Sequence, residues 1–377
     1  MINRLSPFHQ VTHKANPWAA KYTRKDFNES PMLLFYEMTR ACDLVCLHCR
    51  ACAQKESHPE ELSTEQSLRL IDQLTEFPIP PLLVLTGGDP FKRKDIYEII
   101  AYGVSAGIEV SITPSATPLV TKEALCQLKE AGVSRIAISI DGATAASHDE
   151  MRGVDGSFDS AFRILSDARQ YDIPVQVNTT VLPHNRHEID AMAELLAENN
   201  VVLWSVFFLV PVGRALEEQR LSAEEYEDVF ERLWFHHNDK PFAVKTTEAP
   251  HYRRYVLQQK KKRSIHSSQD QRSQVEQRAP LGVNDGKGVM FVGHTGEIYP
   301  SGFLPVECGR FPQDHIVKVY QQSQVFRDLR DANLLEGKCG LCEYRQICGG
   351  SRARSFALTG NFQSEEVDCL FQPEKKQ

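Results

Sequence analysis

From about residue 31 to residue 210 the sequence alternates short apolar runs with amphipathic stretches, and this alternation limits the possible folds more than any other feature. Residues 32–39, 82–86, 108–113, 135–141, 175–181 and 202–210 predict strands. Residues 63–77, 95–106, 121–131, 158–171 and 187–199 predict the helices between them. The first helix carries its own start signal: Ser63 is followed by Gln66, then by Leu70, Ile71 and Leu74 at helical spacing. Repeated βα units imply a parallel sheet with right-handed crossovers. A closed eight-unit barrel takes about 250 residues. Six units in this shorter stretch predict an α/β fold built on an open, partial (β/α)6 barrel.

The remainder of the 377 residues leaves room for an appendage. Residues 222–237 predict another helix. Residues 258–278 (QQKKKRSIHSSQDQRSQVEQR) contain only Ile265 and Val275 as aliphatic residues and predict a polar linker or surface insertion. Its basic run, Lys260 to Arg263, fits a solvated loop, or else a docking patch for an acidic electron carrier. Residues 288–300 predict a hairpin turning at His294, Thr295 and Gly296. The expected division is an extension at 1–30, the partial barrel at 31–245, a polar linker or insertion at 246–285, and a small α+β domain at 286–377.

Lys and Arg number 43 against 50 Asp and Glu, giving a net charge of −7, which argues against nucleic acid as the main partner. The longest apolar run, Val201 to Val212, is interrupted by Ser205 and Pro211 and is too short to span a bilayer. The N-terminus lacks a basic-then-apolar signal pattern, so a cytoplasmic location is expected.

The ten cysteines are unevenly placed. Cys42, Cys46, Cys49 and Cys52 crowd one turn, Cys339, Cys342, Cys348 and Cys369 form a second group, and Cys126 and Cys308 stand apart. Two tight groups read as metal sites rather than as a disulfide scaffold. The first follows the first strand, at the end of the sheet where α/β folds place their chemistry. Cys42-x3-Cys46-x2-Cys49 can hold three irons of a 4Fe–4S cube and leave the fourth open to a ligand. The competing reading is a zinc site with His48 as a further ligand. Cys49-x2-Cys52 could offer a fourth thiolate, which would close the open iron; as Cys often simply packs as a small apolar residue, Cys52 is expected as a nearby non-ligand. Cys126, beside Leu125 and Leu128, is expected in the core.

These residues resemble the radical S-adenosylmethionine (SAM) enzymes, in which the open iron binds SAM and the cluster cleaves it to a 5′-deoxyadenosyl radical. Gly87-Gly88-Asp89-Pro90 ends the second strand, where the family has a Gly-Gly-Glu-Pro-like motif contacting SAM; Asp89 stands where Glu is commoner. Ser139 and Asp141 match the family's Ser-x-Asp-Gly. The resemblance implies that Arg152, in His148 to Gly153, pairs the SAM carboxylate, as a guanidinium fork can, and that Ser115 reaches the ribose.

Cys339-x2-Cys342-x5-Cys348-x20-Cys369 supplies four thiolates, enough to close a second 4Fe–4S cube, or a four-Cys zinc knuckle. With Cys348-Gly349-Gly350 and Ser301 at a position where related domains often have Cys, the C-terminal region resembles a one-cluster form of the SPASM domain. Cys308 is a less favoured spare ligand. Together with Thr39-Arg40, His48-Cys49-Arg50-Ala51 and Phe303-Leu304-Pro305, the layout is similar to the radical SAM enzymes of alternative haem biosynthesis, including haem d1 formation. That likeness implies a tetrapyrrole substrate whose propionates are oxidatively decarboxylated or removed, an auxiliary cluster as electron acceptor, and a flavodoxin- or ferredoxin-like electron donor. Arg50, Arg214, Arg310, Arg352 and Arg354 are the candidate cations for the carboxylates. Radical SAM maturases of ribosomal peptides share the layout but often carry an N-terminal recognition domain, for which the residues before the first strand are too few. A non-catalytic iron–sulfur protein would have no use for an open iron.

Overall fold

The computed structural model describes residues 22–23, 26–266 and 282–374. Six strands and their connecting helices follow the predicted alternation: β1 (Leu33–Glu37), β2 (Leu82–Thr86), β3 (Val110–Ile112), β4 (Arg135–Ser139), β5 (Val175–Val181) and β6 (Leu203–Phe208). Between β1 and β3 lie α1 (Thr64–Thr75) and α2 (Ile96–Ser105); α3 (Lys122–Glu130) precedes β4. A short helix α4 (Ala145–Arg152) and the longer α5 (Ser157–Gln170) separate β4 from β5, and α6 (Ile189–Glu198) precedes β6. The Ser63–Gln66 capping box forms as the sequence predicts. Helix α4 was hidden in the sequence because it is short and polar, and only His148, Met151 and Arg152 are buried in it.

The sheet is wider than six strands. After α7 (Ala223–Asp239), β7 (Ala243–Thr247) pairs parallel with β6 at one edge. On the other side, β8 (Val289–Val292) pairs parallel with β1, then β9 (Glu297–Tyr299) and β10 (Gly309–Arg310) continue antiparallel. The order is β10-β9-β8-β1-β2-β3-β4-β5-β6-β7, a partial barrel open between its two edges. The predicted hairpin at 288–300 forms as β8–β9, and it adds to the barrel sheet through β1.

Residues 246–285 do not form the expected linker throughout. Residues 246–247 finish β7, and α8 (Tyr252–His266) takes up the start of the basic stretch; residues 267–281 lie outside the described residues. This helix has almost no aliphatic stripe. It is held by aromatic rings, with Tyr252 and Tyr255 packed 5.3 and 6.0 Å from Phe230, and by Arg253 donating to the Ile347 carbonyl. The rest of the C-terminal region is short helices: α9 (Ile316–Gln322), α10 (Gln324–Arg330), α11 (Gly337–Leu341) and α12 (Arg352–Thr359).

The main core lies between the outer face of the sheet and the helices. Ile136 and Ile138 of β4, Val177 of β5, and Trp204 and Val206 of β6 point into it, and Trp204 Nε1 donates to Thr179 Oγ1 at 2.9 Å. Alternation along each strand then sends the intervening, more polar residues to the hollow face. Among the described residues no helix is long and apolar enough to cross a membrane.

Candidate functional site

The loop after β1 carries Cys42, Cys46 and Cys49, and it is tied down on three sides. Cys42 N donates to Gln54 O at 2.7 Å; Val45 N and Leu47 N donate to the carbonyls of Arg152 and Met151 at the end of α4. On the third side the loop after β2 approaches, with Gly88 N donating to Thr39 O at 2.8 Å and Asp89 N to Ala41 O at 2.7 Å. This approach requires glycine. A Cβ on Gly87 would lie 2.3 Å from Thr39 O, and one on Gly88 2.4 Å from Ala41 O; Gly87 also has φ +148°.

The three thiols open onto one cavity of about 230 Å³ at the carboxyl ends of the strands. Gly87, Gly88, Ser115, Ser139 and Arg152 line it with them. Ser115 Oγ donates to Gly88 O at 2.8 Å and sits 3.4 Å from Cys42 Sγ. Arg152 Nη1 donates toward Cys46 Sγ at 3.7 Å, and backbone N–H groups of Leu44 and Ala53 reach the sulfurs of Cys42 and Cys49 at 3.4 Å.

Not every expected contact faces the cavity. Asp89 turns away: its carboxyl accepts from Thr117 Oγ1 at 2.8 Å and caps the turn at Pro90, and burial pushes its pKa up. Asp141 lies behind the wall in an ion pair with Arg152, and Thr180 N donates to it at 2.7 Å. Burial alone would raise the Asp141 carboxyl; Arg152 and then His48 hold it low. Arg152 is therefore braced by an acid as well as placed on the cavity.

Sequence reasoning missed the strand-end residues Thr113, Asn178, Thr180 and Phe207, which also line the cavity. Their signal was position at the carboxyl end of a parallel strand. His48 and His148 line it too, and burial lowers each imidazole to about 4. Nδ1 of His48, Nε2 of His148 and Nε of Arg152 are buried without a hydrogen-bond partner. Orphaned buried polar atoms around a cavity are stabilised by a polar ligand. Three sulfurs, a guanidinium facing them and unsatisfied donors and acceptors fit a thiolate-bound cluster with a zwitterionic ligand beside it.

Cys52 is exposed, has φ 48° and does not line the cavity. Cys52→Ser is expected to retain the full iron content and wild-type SAM cleavage, measured after anaerobic reconstitution, whereas Cys49→Ser loses both.

Cys339, Cys342, Cys348 and Cys369 line a second, smaller cavity together with His251 and Arg254. Three of these sulfurs accept backbone N–H groups: Cys339 from Glu366 at 3.3 Å, Cys342 from Tyr344 and Cys348 from Gly350 at 3.4 Å. Four thiols around one cavity can serve as the corners of a cube or as the ligands of a single zinc. Cys308 is not on this cavity; its thiol donates to Val306 O at 3.3 Å, and burial pushes it up to about 11. Cys126 is half-exposed rather than core, because α3 turns Ala124, Leu125 and Leu128 inward and leaves Cys126 beside Glu130.

The arginines named from their nearness to motifs are mostly spoken for. Arg50 pairs with Glu37 at 2.7 Å, Arg310 with Glu297 at 3.2 Å, and Arg354 with Glu366 and Asp368 at 3.1 and 3.0 Å. Arg352 donates to the carbonyls of Phe362 and Ser364, and Arg214 Nη1 donates to Ala53 O at 3.5 Å.

Residues 36–196 match the model of the radical SAM superfamily. A protein of Methanosarcina barkeri named "AdoMet-dependent heme synthase" is 38% identical over 92% of this chain and 98% of its own length. A protein of the same name from Oleidesulfovibrio alaskensis is 39% identical over 94% of this chain and 91% of its own. Among solved structures, Streptococcus suis SuiB bound to S-adenosylmethionine superposes with a TM-score of 0.71 at 15% identity, covering 91% of this chain and 78% of that one.

Proposed function

The chain belongs to the radical SAM superfamily, and on that premise we propose that it is an enzyme of alternative haem biosynthesis that oxidatively decarboxylates, or removes, propionate side chains of an iron tetrapyrrole. The observation that carries this reading is the likeness, over nearly the whole of both chains, to the two haem synthases.

In this reading Cys42, Cys46 and Cys49 hold a 4Fe–4S cluster with one open iron, and the polar wall beside them receives SAM. When bound, this pair supplies a 5′-deoxyadenosyl radical that abstracts hydrogen. The protein's own part is positioning. Gly87 and Gly88 present backbone where no side chain fits, and Ser115 and Ser139 offer hydroxyls. Arg152, braced by Asp141, directs a guanidinium at the sulfurs and at the space a carboxylate would fill. Asp89 and Pro90 shape the turn that carries the two glycines. Cys339, Cys342, Cys348 and Cys369 would hold a second 4Fe–4S cluster. A flavodoxin- or ferredoxin-like donor in the cytoplasm is the partner we assign for reducing equivalents.

Anaerobic reconstitution with iron and sulfide tests the reading. Iron should reach about eight per chain, four for each cube. SAM cleavage should be stimulated by iron-coproporphyrin III and not by a peptide panel, with a product lighter by one carbon dioxide and two hydrogens for each propionate converted. Stimulation by a peptide alone would replace the tetrapyrrole assignment with peptide maturation.

A further inference from the structure

The hollow face of the barrel carries two basic side chains without an acidic partner. On β4, Ile136 and Ile138 are buried toward the helices, so Arg135, Ala137 and Ser139 face the interior. Parallel register carries this inner row from Ser139 to Asn178 of β5, Ser205 of β6 and Lys245 of β7. Ser139 and Asn178, at one end of the row, line the cavity over the Cys42 loop. Lys245, at the other end, is two strands beyond Asn178, about 10 Å at ordinary inter-strand spacing. Arg135 lies four residues before Ser139 on the same face, deeper in the barrel.

Among the described residues neither Lys245 nor Arg135 has a hydrogen bond or ion pair through its side chain. Glu109 acts on Arg135 only from beyond ion-pair reach. Both side chains are half-buried, as expected for groups facing the inside of an open barrel. The environment disfavours their charge: burial, and then Arg135, lower the Lys245 ammonium to about 8. Enclosed like charges are relieved by an anion placed against them. Their neighbours are polar as well, with Gln176 donating to Asn178 at 2.6 Å and the hydroxyls of Ser205 and Thr247 3.3 Å apart.

We propose that Arg135 and Lys245 form a carboxylate-binding floor, which holds a non-reacting carboxylate of the substrate so that another carboxylate-bearing arm is presented at the SAM cavity. This rests on the tetrapyrrole reading, whose substrate carries several propionates on one rigid macrocycle. It also explains how a chain whose motif-proximal arginines are largely engaged can recognise a polyanion.

Equilibrium dialysis of iron-coproporphyrin III against the reconstituted protein tests it. Lys245→Gln and Arg135→Gln are each expected to weaken binding about tenfold, the size of one lost charge-assisted hydrogen bond. Lys245→Arg should restore it, and the methyl-esterified porphyrin should bind wild type and Lys245→Gln alike. Because the ammonium has no partner to abandon, Lys245→Gln should melt at or above the wild-type temperature. Equal binding by wild type and both variants overturns the floor and leaves the tetrapyrrole reading standing. A lowered melting temperature accompanying the lost binding overturns it as well, by marking a structural role. Absence of porphyrin binding by wild type overturns the tetrapyrrole reading and this inference with it.

Discussion

Cys348→Ala is expected to leave SAM cleavage running while product formation falls to background. The two cysteine groups line separate cavities, one on the barrel and one in the C-terminal loops. In the proposed arrangement Cys42, Cys46 and Cys49 would leave a coordination position for a ligand, and four thiolates would leave none. What a closed cluster can supply is electron exchange. Conversion of a propionate to a vinyl group gives up one hydrogen atom, one carbon dioxide and one electron, and that electron needs a destination. The Cys348 loop is held independently of its sulfur, since Asn284 Nδ2 donates to the carbonyls of Cys348 and Gly350 at 3.2 and 2.8 Å. The variant should therefore fold, with iron falling from about eight to about four per chain. Chromatography of 5′-deoxyadenosine and of tetrapyrrole product on the same samples reads the two activities apart. Product at the wild-type rate would reduce the four-cysteine site to a structural staple.

Glu37→Gln is expected to destabilise the protein by about 3 kcal/mol at pH 7, and to loosen the Cys42 loop. Glu37 ends β1 and is 1% exposed. Arg50, next to Cys49, donates to it at 2.7 Å; Arg40 does so at 3.1 Å, and His294 Nδ1 lies 3.0 Å away. One carboxylate thus ties the cysteine loop to the barrel and to the turn after β8. Burial alone would raise this carboxyl, but Arg50, His294 and Arg40 hold it down at about 2. An unfolded Glu titrates near ~4.3. The folded value is the lower one, so the stabilisation is complete above about pH 4.3 and disappears as pH falls toward about 2. Denaturant midpoints of wild type and Glu37→Gln should accordingly converge over that interval. A gap that stayed constant with pH would show that shape, not charge, is what Gln fails to supply.

Much of this architecture is legible locally. The Ser63–Gln66 box, the apolar spacing of Leu70, Ile71 and Leu74, and the bounds of β2 and β5 are set by residues a few positions apart, and the structure keeps them. The grouping of Cys42, Cys46 and Cys49 is likewise local, because all three ride one loop after β1, although the end of α4 and the loop after β2 hold that loop in place. The Gly87-Gly88 pair is legible as a turn, but its purpose, admitting the Thr39 and Ala41 carbonyls, becomes visible only when β1 and β2 lie side by side.

Other features depended on contacts that no local window contains. Val289–Val292 reads as half of a hairpin, and its parallel docking on Leu33–Tyr36 joins residues about 250 positions apart. Arg50, Arg310 and Arg354 read as free cations, and each is taken by an acid 13, 13 and 12 residues away in the chain, Glu37, Glu297 and Glu366, separations that no helix or strand period brings together. Asp89 reads as a cavity residue, and Thr117 draws its carboxyl away. Lys245 carries no motif at all; register alone puts it in line with Ser139 and Asn178. The sequence by itself determined the βα alternation, the two thiol groups and the turn that serves the first of them, because periodicity and ligand spacing are short-range properties. The tertiary structure decided which charges are paired and which face the hollow of the barrel, because ion pairing and burial depend on which strands lie together.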